Sequence, residues 1–350
     1  MNKVAIVTII SKNYGNRLQN FALQEALINL GNQVKTIPAY PYHIIRHKIK
    51  YFAKKALNAL NGQYPDVVWD EFDKKIKWGK AIISDKRIAD KYDYFIAGSD
   101  QIWNPLFDCN SDRELLTFAE NQKKIAYAAS FGVDKLPSEI IKHYHNEILT
   151  FKAVSVREFS AANIIEQLGC DRPVVVLDPT MLLNDEQWIK IAKQSKVKFN
   201  KKHYAVVYFL GKRNKDYDEY ILRKIKDNKL ELIDIMSPSS EFKNRIGPAE
   251  FVSLLYNCDF VFTDSFHGTV FSILFHKPFI VFERPYEDGY GKMTSRLDTL
   301  LSTFKLDNHR VFDQSQLESI DAEWNIHDVN NILNRKREES ISFIKKALDI

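Results

Sequence analysis

Cysteine is scarce. Cys109, Cys170 and Cys258 are the only three in 350 residues, far apart and without a C-x-x-C pair, which excludes a disulfide scaffold or a cysteine zinc site and fits a reducing cytoplasm. Glycine and proline are also sparse, 12 and 11 residues, so the chain is neither collagen-like nor of low complexity. No apolar run approaches the roughly 18 residues of a membrane span. The apolar start, 4–10, is closed by Ser11, Lys12 and Asn13 without a small-residue cleavage site, and reads as a buried strand rather than a signal peptide. The loop after it holds a single glycine, Gly15, where a dinucleotide fingerprint needs three, so neither NAD nor FAD is expected. No metal-ligand cluster and no zinc-finger, helix-turn-helix or RNP pattern occurs, and a net charge of +5 does not require nucleic acid.

What is present is a globular composition, 45% hydrophobic and 27% charged, long enough for two cores. Short apolar runs at 4–10, 34–37, 94–97, 124–129, 154–156 and 174–177 alternate with helical spacing, as in a parallel α/β sheet. A helix bearing Trp188 and a Lys-rich stretch to 202 then read as a polar hinge. The pattern restarts with strands expected at 204–210, 230–235, 260–262 and 279–282. Boundaries follow at 1–183 and 184–326, with an amphipathic helix in 327–350 long enough to cross back to the first half. In open parallel sheets ligands bind beyond the carboxyl ends of the strands, so the polar residues that end each run become the candidates.

The stretch 259–282 carries the strongest of them. A strand ends at Thr263, Asp264 and Ser265; Phe266, His267 and Gly268 follow; and apolar residues from Val270 to Phe275 fall on helical spacing. Unpaired amides and the dipole at such a helix start attract anions. Ser265 offers a hydroxyl, His267 a proton near neutral pH, and Gly268 close backbone approach. Ser265 as a simple cap and His267 bonded to a carbonyl fit the same residues. Arg157, at another strand end, suits forked binding of phosphate or carboxylate, or equally a structural pair with Glu158 or Asp178. Arg296 places a second guanidinium in a first helical turn.

Gly98 to Pro105 reads Gly-Ser-Asp-Gln-Ile-Trp-Asn-Pro. Asp100, Gln101 and Trp103 supply the acid, amide and aromatic face that a sugar site uses, although a turn cluster with Trp103 in the core fits too. Asn16, Arg17, Gln19 and Asn20 set polar groups at the mouth of the first sheet, or else cap and solvate a helix. Ser130 follows the strand at 124–129. Residues 42–60 hold Arg46, Lys48, Lys50, Lys54 and Lys55 with no acid, a basic amphipathic pattern suited to an anionic membrane surface or to an ordinary surface helix.

These pieces together resemble the polysaccharide pyruvyltransferase family. The resemblance rests on 15–24, 98–105, 127–132, 155–158, 177–183 with Trp188, 263–275 and 295–301, in that order. It implies two Rossmann-like domains in the GT-B arrangement, phosphoenolpyruvate as co-substrate with no cofactor, and a saccharide acceptor that receives a pyruvyl ketal in capsule or exopolysaccharide synthesis. On that reading His267, Arg157 and Asp100 are catalytic. Ser265, Phe266, Gly268 and Arg296 hold the donor. Asn16, Gln19, Asn20, Gln101, Trp103 and Ser130 hold the acceptor, which is lipid-linked if 42–60 docks on the inner face of a membrane. Many members carry Gly-Asp where this chain has Gly15-Asn16. A nucleotide-sugar glycosyltransferase of the same form and a glycan-binding protein without turnover are the rival readings, separated by which leaving group is released and by whether any is.

Overall fold

The apolar runs of the first half form one parallel sheet: β1 (Lys3–Val7), β2 (Gln33–Ile37), β3 (Tyr94–Asp100), β4 (Lys124–Ala129), β5 (Ala153–Val156) and β6 (Val174–Val175), in the order β2-β1-β3-β4-β5-β6. Those of the second half form another: β7 (Tyr204–Tyr208), β8 (Glu231–Asp234), β9 (Phe260–Thr263), β10 (Phe279–Phe282) and β11 (Arg310–Val311), in the order β8-β7-β9-β10-β11. The computed structural model describes residues 1–37, 67–80, 86–107, 112–199, 202–237, 245–284 and 295–350. The basic segment 42–60, Cys109 and the loop with Gly289 and Gly291 lie outside them. Every residue of β7 and of β10 is buried, as expected for strands covered on both faces.

Helices α1 (Tyr14–Asn29), α2 (Val67–Asp73), α3 (Lys86–Ala89), α4 (Ser138–Ile148) and α5 (Phe159–Gln167) belong to the first half. In the second are α6 (Asp185–Ala192), α7 (Lys215–Asp227), α8 (Pro248–Asn257), α9 (Phe266–Leu274), α10 (Ser295–Phe304) and α11 (Ile326–Ala347). No described helix is long and apolar enough to cross a membrane.

Three local outcomes differ from the sequence reading. The cap of α1 is Asn13, whose Oδ1 accepts from Asn16 N at 3.2 Å, which frees the Asn16 side chain for other work. Strand β3 runs on to Asp100, because Gly98 leaves room for Ile6 and Leu23, which would lie 3.2 and 3.1 Å from an added Cβ. And α9 starts at Phe266, two residues early, with Ser265 Oγ accepting from Gly268 N at 3.4 Å.

The segment expected to be a polar hinge is packed instead. Asn184 and Gln187 close a capping box at the start of α6, and its apolar side buries Trp188, Ile191 and Ala192. The Trp188 ring lies 4.9 Å from Phe271 of α9 and 6.0 Å from Phe21 of α1, and its Nε1 donates to Thr180 O at 2.9 Å. Tyr14 likewise stacks between Trp69 and Phe251 at 5.3 and 4.8 Å. One apolar core therefore runs through both halves.

The last helix ties them again. At one end Asn330 Oδ1 meets His276 Nε2 at 3.0 Å; farther along Ser340 Oγ accepts from Leu177 N at 3.0 Å and Arg337 donates to Met181 O at 2.9 Å. The chain returns to β1, with Asn2 Nδ2 donating to Leu348 O at 2.9 Å.

Replacing Trp188 with Ala is expected to cost about 3–5 kcal/mol and, because its core is shared, to lower both halves together. Urea unfolding followed by far-ultraviolet circular dichroism and by tyrosine fluorescence should give coincident transitions; two separated ones would contradict a common core.

Candidate functional site

Each sheet reverses its strand order once, between β1 and β3 in the first half and between β7 and β9 in the second. The connections leave the carboxyl ends of neighbouring strands toward opposite faces of the sheet there, which opens a crevice. The two crevices meet. A cavity of about 170 Å³ is lined by Ile9, Ser11 and Asn13 after β1, Asp100 and Gln101 at the end of β3, Leu210 after β7, and Asp264 to His267 after β9. Arg284, beyond β10, and Arg296, in the first turn of α10, complete the wall.

Asp100 reaches the cavity through an unusual backbone. Its φ is +70°, a left-handed conformation that Asp tolerates better than most residues, and its carbonyl accepts from Ile102 N at 2.7 Å and Ser130 N at 3.1 Å. Three groups grip the carboxylate. Asn16 Nδ2 donates to Oδ2 at 3.3 Å, Arg157 Nη2 lies 3.4 Å from Oδ1 and Arg296 Nη1 4.0 Å. Burial alone would raise its pKa, but Arg157, His267, Arg296 and the Asn16 bond bring it down to about 2.

Arg157 is the pivot. It lies between two carboxylates, its Nη1 2.7 Å from Asp178 Oδ2, with the Phe266 ring 4.6 Å beneath the guanidinium. Its side chain is 1% exposed. Asp178 also accepts from Ser99 Oγ at 3.0 Å and from Thr180 N and Oγ1 at 2.9 and 2.6 Å. Burial would raise Asp178, yet His267, Arg157 and the Thr180 bonds hold it below the ordinary range.

His267 enters from the other domain. Its ring packs on the backbone of Gly15, where an added Cβ would stand 1.9 Å from Nδ1, so only glycine leaves space for the imidazole. Nε2 lies 3.8 Å from Asp178 Oδ2 and has no hydrogen-bond partner among the described residues. Burial keeps the imidazole pKa below its usual value; Asp178 and Asp100 oppose this, while Arg157 and Arg296 add to it. Arg296 is itself pushed down to about 10 by burial and by Arg157. In the amide orientation that suits both neighbours, Gln101 Oε1 accepts from the two Arg296 Nη atoms at 3.1 and 3.0 Å. Glu158, fully buried, is pushed up by burial against the pull of Arg157, Arg296, Ser130 and Gly132.

Of the residues expected from sequence, Asp100, His267, Ser265, Phe266, Arg296 and Gln101 meet at this cavity. Others do not. Arg157 is absent from this cavity's wall: it pairs with Asp100 and Asp178 and lines an adjoining cavity of about 190 Å³. Gly268 owes its lack of a side chain to Thr263, whose Oγ1 would lie 2.5 Å from a Cβ, not to a ligand. Asn16 is buried and orients Asp100. Gln19 bonds Thr8 Oγ1 at 3.0 Å, and Asn20 accepts from Thr36 Oγ1 at 2.9 Å. Trp103 is fully buried, its Nε1 donating to Glu114 O at 3.2 Å, and so offers no face to a sugar. Ser130 is fully buried, its Oγ accepting from Gly132 N at 3.2 Å. Arg17 pairs with Asp73 at 2.7 Å.

Sequence reasoning passed over Arg284 and gave Asp264 no role. Asp264 accepts from Leu210 N and Gly211 N, both at 2.7 Å, and from Arg284 Nε at 3.0 Å, binding the ends of β7, β9 and β10 together. The available signal was an arginine two residues beyond an apolar strand. No group of three or more His, Cys, Asp or Glu suited to a metal ion occurs among the described residues.

Solved structures share this architecture. A UDP-N-acetylglucosamine 2-epimerase from Rickettsia bellii superposes with a TM-score of 0.53 at 12% identity, over 100% of this chain and 97% of its own. A putative UDP-N-acetylglucosamine 2-epimerase from Listeria monocytogenes gives 0.52 at 11%, over 99% and 91%. The UDP-GlcNAc 2-epimerase of Methanocaldococcus jannaschii gives 0.51 at 11%, over 95% and 99%. At such identities the likeness concerns the fold, two Rossmann-like domains of GT-B type. No curated protein matches the chain in sequence. The model of the polysaccharide pyruvyl transferase family matches residues 13–285, a span holding the second strand-order reversal and all of the cavity wall except Ile9, Ser11, Arg296 and Leu297, and the chain belongs to that family.

Proposed function

We propose that this transferase moves the pyruvyl group of phosphoenolpyruvate onto two hydroxyls of an envelope saccharide, forming a cyclic ketal and releasing phosphate. The observation that carries this reading is His267, its buried Nε2 without a hydrogen-bond partner among the described residues, at a small cavity flanked by two arginines and a helix start. A compact anion fits there. Arg296, Arg284 and the amides of Phe266 and His267 at the start of α9 would hold its phosphate and carboxylate.

Proton traffic follows from the charges. In the free protein burial disfavours the charged form of His267. A donor carrying several negative charges offsets Arg157 and Arg296, the two cations that depress the imidazole, so donor and proton bind together. The imidazolium then protonates the methylene carbon, and an acceptor hydroxyl attacks the central carbon. Neutral again, His267 takes that hydroxyl's proton. The C–O bond to phosphate breaks, the guanidiniums stabilise the departing phosphate, and the second hydroxyl closes the ketal as its proton passes to that phosphate. Asp100, held at about 2, is too weak a base to deprotonate a hydroxyl; it orients one. Arg157 acts through Asp100 and His267 rather than on the donor.

Phosphoenolpyruvate and a panel of envelope glycans should give one free phosphate per pyruvyl group transferred. Nucleoside diphosphate release from a sugar nucleotide, without phosphate from phosphoenolpyruvate, would move the chain to the glycosyltransferases. His267→Gln should lower kcat about 10²–10⁴-fold.

Titration calorimetry with phosphoenolpyruvate, in buffers of different ionisation enthalpy, should show proton uptake in the wild type and none in His267→Gln. The basic limb of kcat should accordingly lie at higher pH than that of kcat/KM. Uptake unchanged in the variant would remove His267 as the acid.

Gly15→Ala forces the His267 ring to move and should reduce kcat at least tenfold, with a melting temperature within a few degrees of wild type. Full activity would show that the ring's seat is immaterial.

A further inference from the structure

Helix α10 separates two spaces. Arg296 and Leu297 face the central cavity, whereas Ser295, Asp298 and Ser302, at steps of three and four on one helical face, line a groove against α5. The groove measures about 400 Å³ against about 170 Å³ for the central cavity. Ligand sites commonly span roughly 300–1,000 Å³, so the central cavity suits a small anion but leaves little room for the body of a saccharide.

The groove has the chemistry that the buried Trp103 does not supply. Phe159, at the start of α5, and Phe312, after β11, line it and are 47% and 50% exposed. The backbone at Phe159 is held, its amide donating to Thr299 Oγ1 at 3.0 Å, and the Arg310 guanidinium lies 4.7 Å over the Phe312 ring. Between them Ser160 Oγ and Ser295 Oγ are buried without a hydrogen-bond partner among the described residues, an unfavourable state that a ligand hydroxyl would relieve. Asp298 and Asn163 add a carboxylate and an amide.

We infer that this groove binds a further sugar unit of the acceptor, its apolar ring face on Phe159 or Phe312 and its hydroxyls on Ser160, Ser295, Asp298 and Asn163. Aromatic faces beside fixed hydroxyl-bonding groups recognise pyranose rings by this division of labour. The inference rests on the pyruvyl-transfer reading for calling the sugar an acceptor, not for calling the groove a sugar site.

Saturation-transfer NMR with mono-, di- and trisaccharides of glucose, galactose, mannose and N-acetylglucosamine tests it on wild type, Phe159→Ala, Phe312→Ala and Ser302→Arg. Ser302 is exposed, so its replacement fills the groove without entering the core. At least one oligosaccharide should bind the wild type and bind each variant at least tenfold more weakly, with melting temperature and phosphoenolpyruvate affinity unchanged. Equal binding by the variants, or no binding to the wild type, overturns the proposal. Phosphate release measured on the same samples separates the two readings. Transfer with an unchanged acceptor KM in Ser302→Arg removes the groove and keeps the transferase. Groove-dependent binding without any phosphate release keeps the groove and removes the transfer.

Discussion

A buried guanidinium between two buried carboxylates sets the geometry of the cleft. Arg157 joins Asp100 to Asp178 with its flat face on Phe266, and through these contacts the ends of β3 and β5, the turn after β6 and the start of α9 are fixed to one another. Charges in such a place tolerate no vacancy, since removing one partner of a buried pair typically costs about 3–5 kcal/mol. The cluster therefore specifies one arrangement of the strand ends. Burial lowers the proton affinity of His267 and of Arg296, and Arg157 adds to both shifts while the carboxylates oppose them, so the contacts that order the cleft also tune it electrically.

Duplicate topology explains why a single cleft collects so much. Both sheets follow the same strand order, and each alone would offer one shallow crevice. Set carboxyl end to carboxyl end, they enclose the space from two sides, with a carboxylate from the first domain and an imidazole from the second. The contact is close enough that one glycine, Gly15, decides whether the ring fits.

Much of this was legible in the sequence because apolar runs ending in polar residues report parallel strands directly. The helix at Pro248 and the strand after Pro278 are found where proline rules place them. Failures have particular causes. Asn13 and Asn16 are equally good caps on paper, and only the bond to Asp100, 84 residues away, tells them apart. Trp103 and Trp188 both lie in polar company, yet both are buried, because each indole N–H finds a backbone carbonyl. Arg157 was read as a ligand group or as the partner of Glu158 or Asp178; it does pair with Asp178, and what sequence cannot show is that Asp100 converges on it as well. Asn16, where the family resemblance led to the expectation of an acid, donates a bond to Asp100 that a carboxylate could not.

The apolar core shared by the halves has a consequence for traffic. Swinging the domains apart would bare the surfaces around Trp188, Phe21 and Phe271, at roughly 25 cal/mol for each square ångström exposed, and would strip the crossing helix α11 from Met181 and Leu177. The jaws are thus welded at the back. A ligand of the central cavity therefore meets two halves already held in place relative to one another.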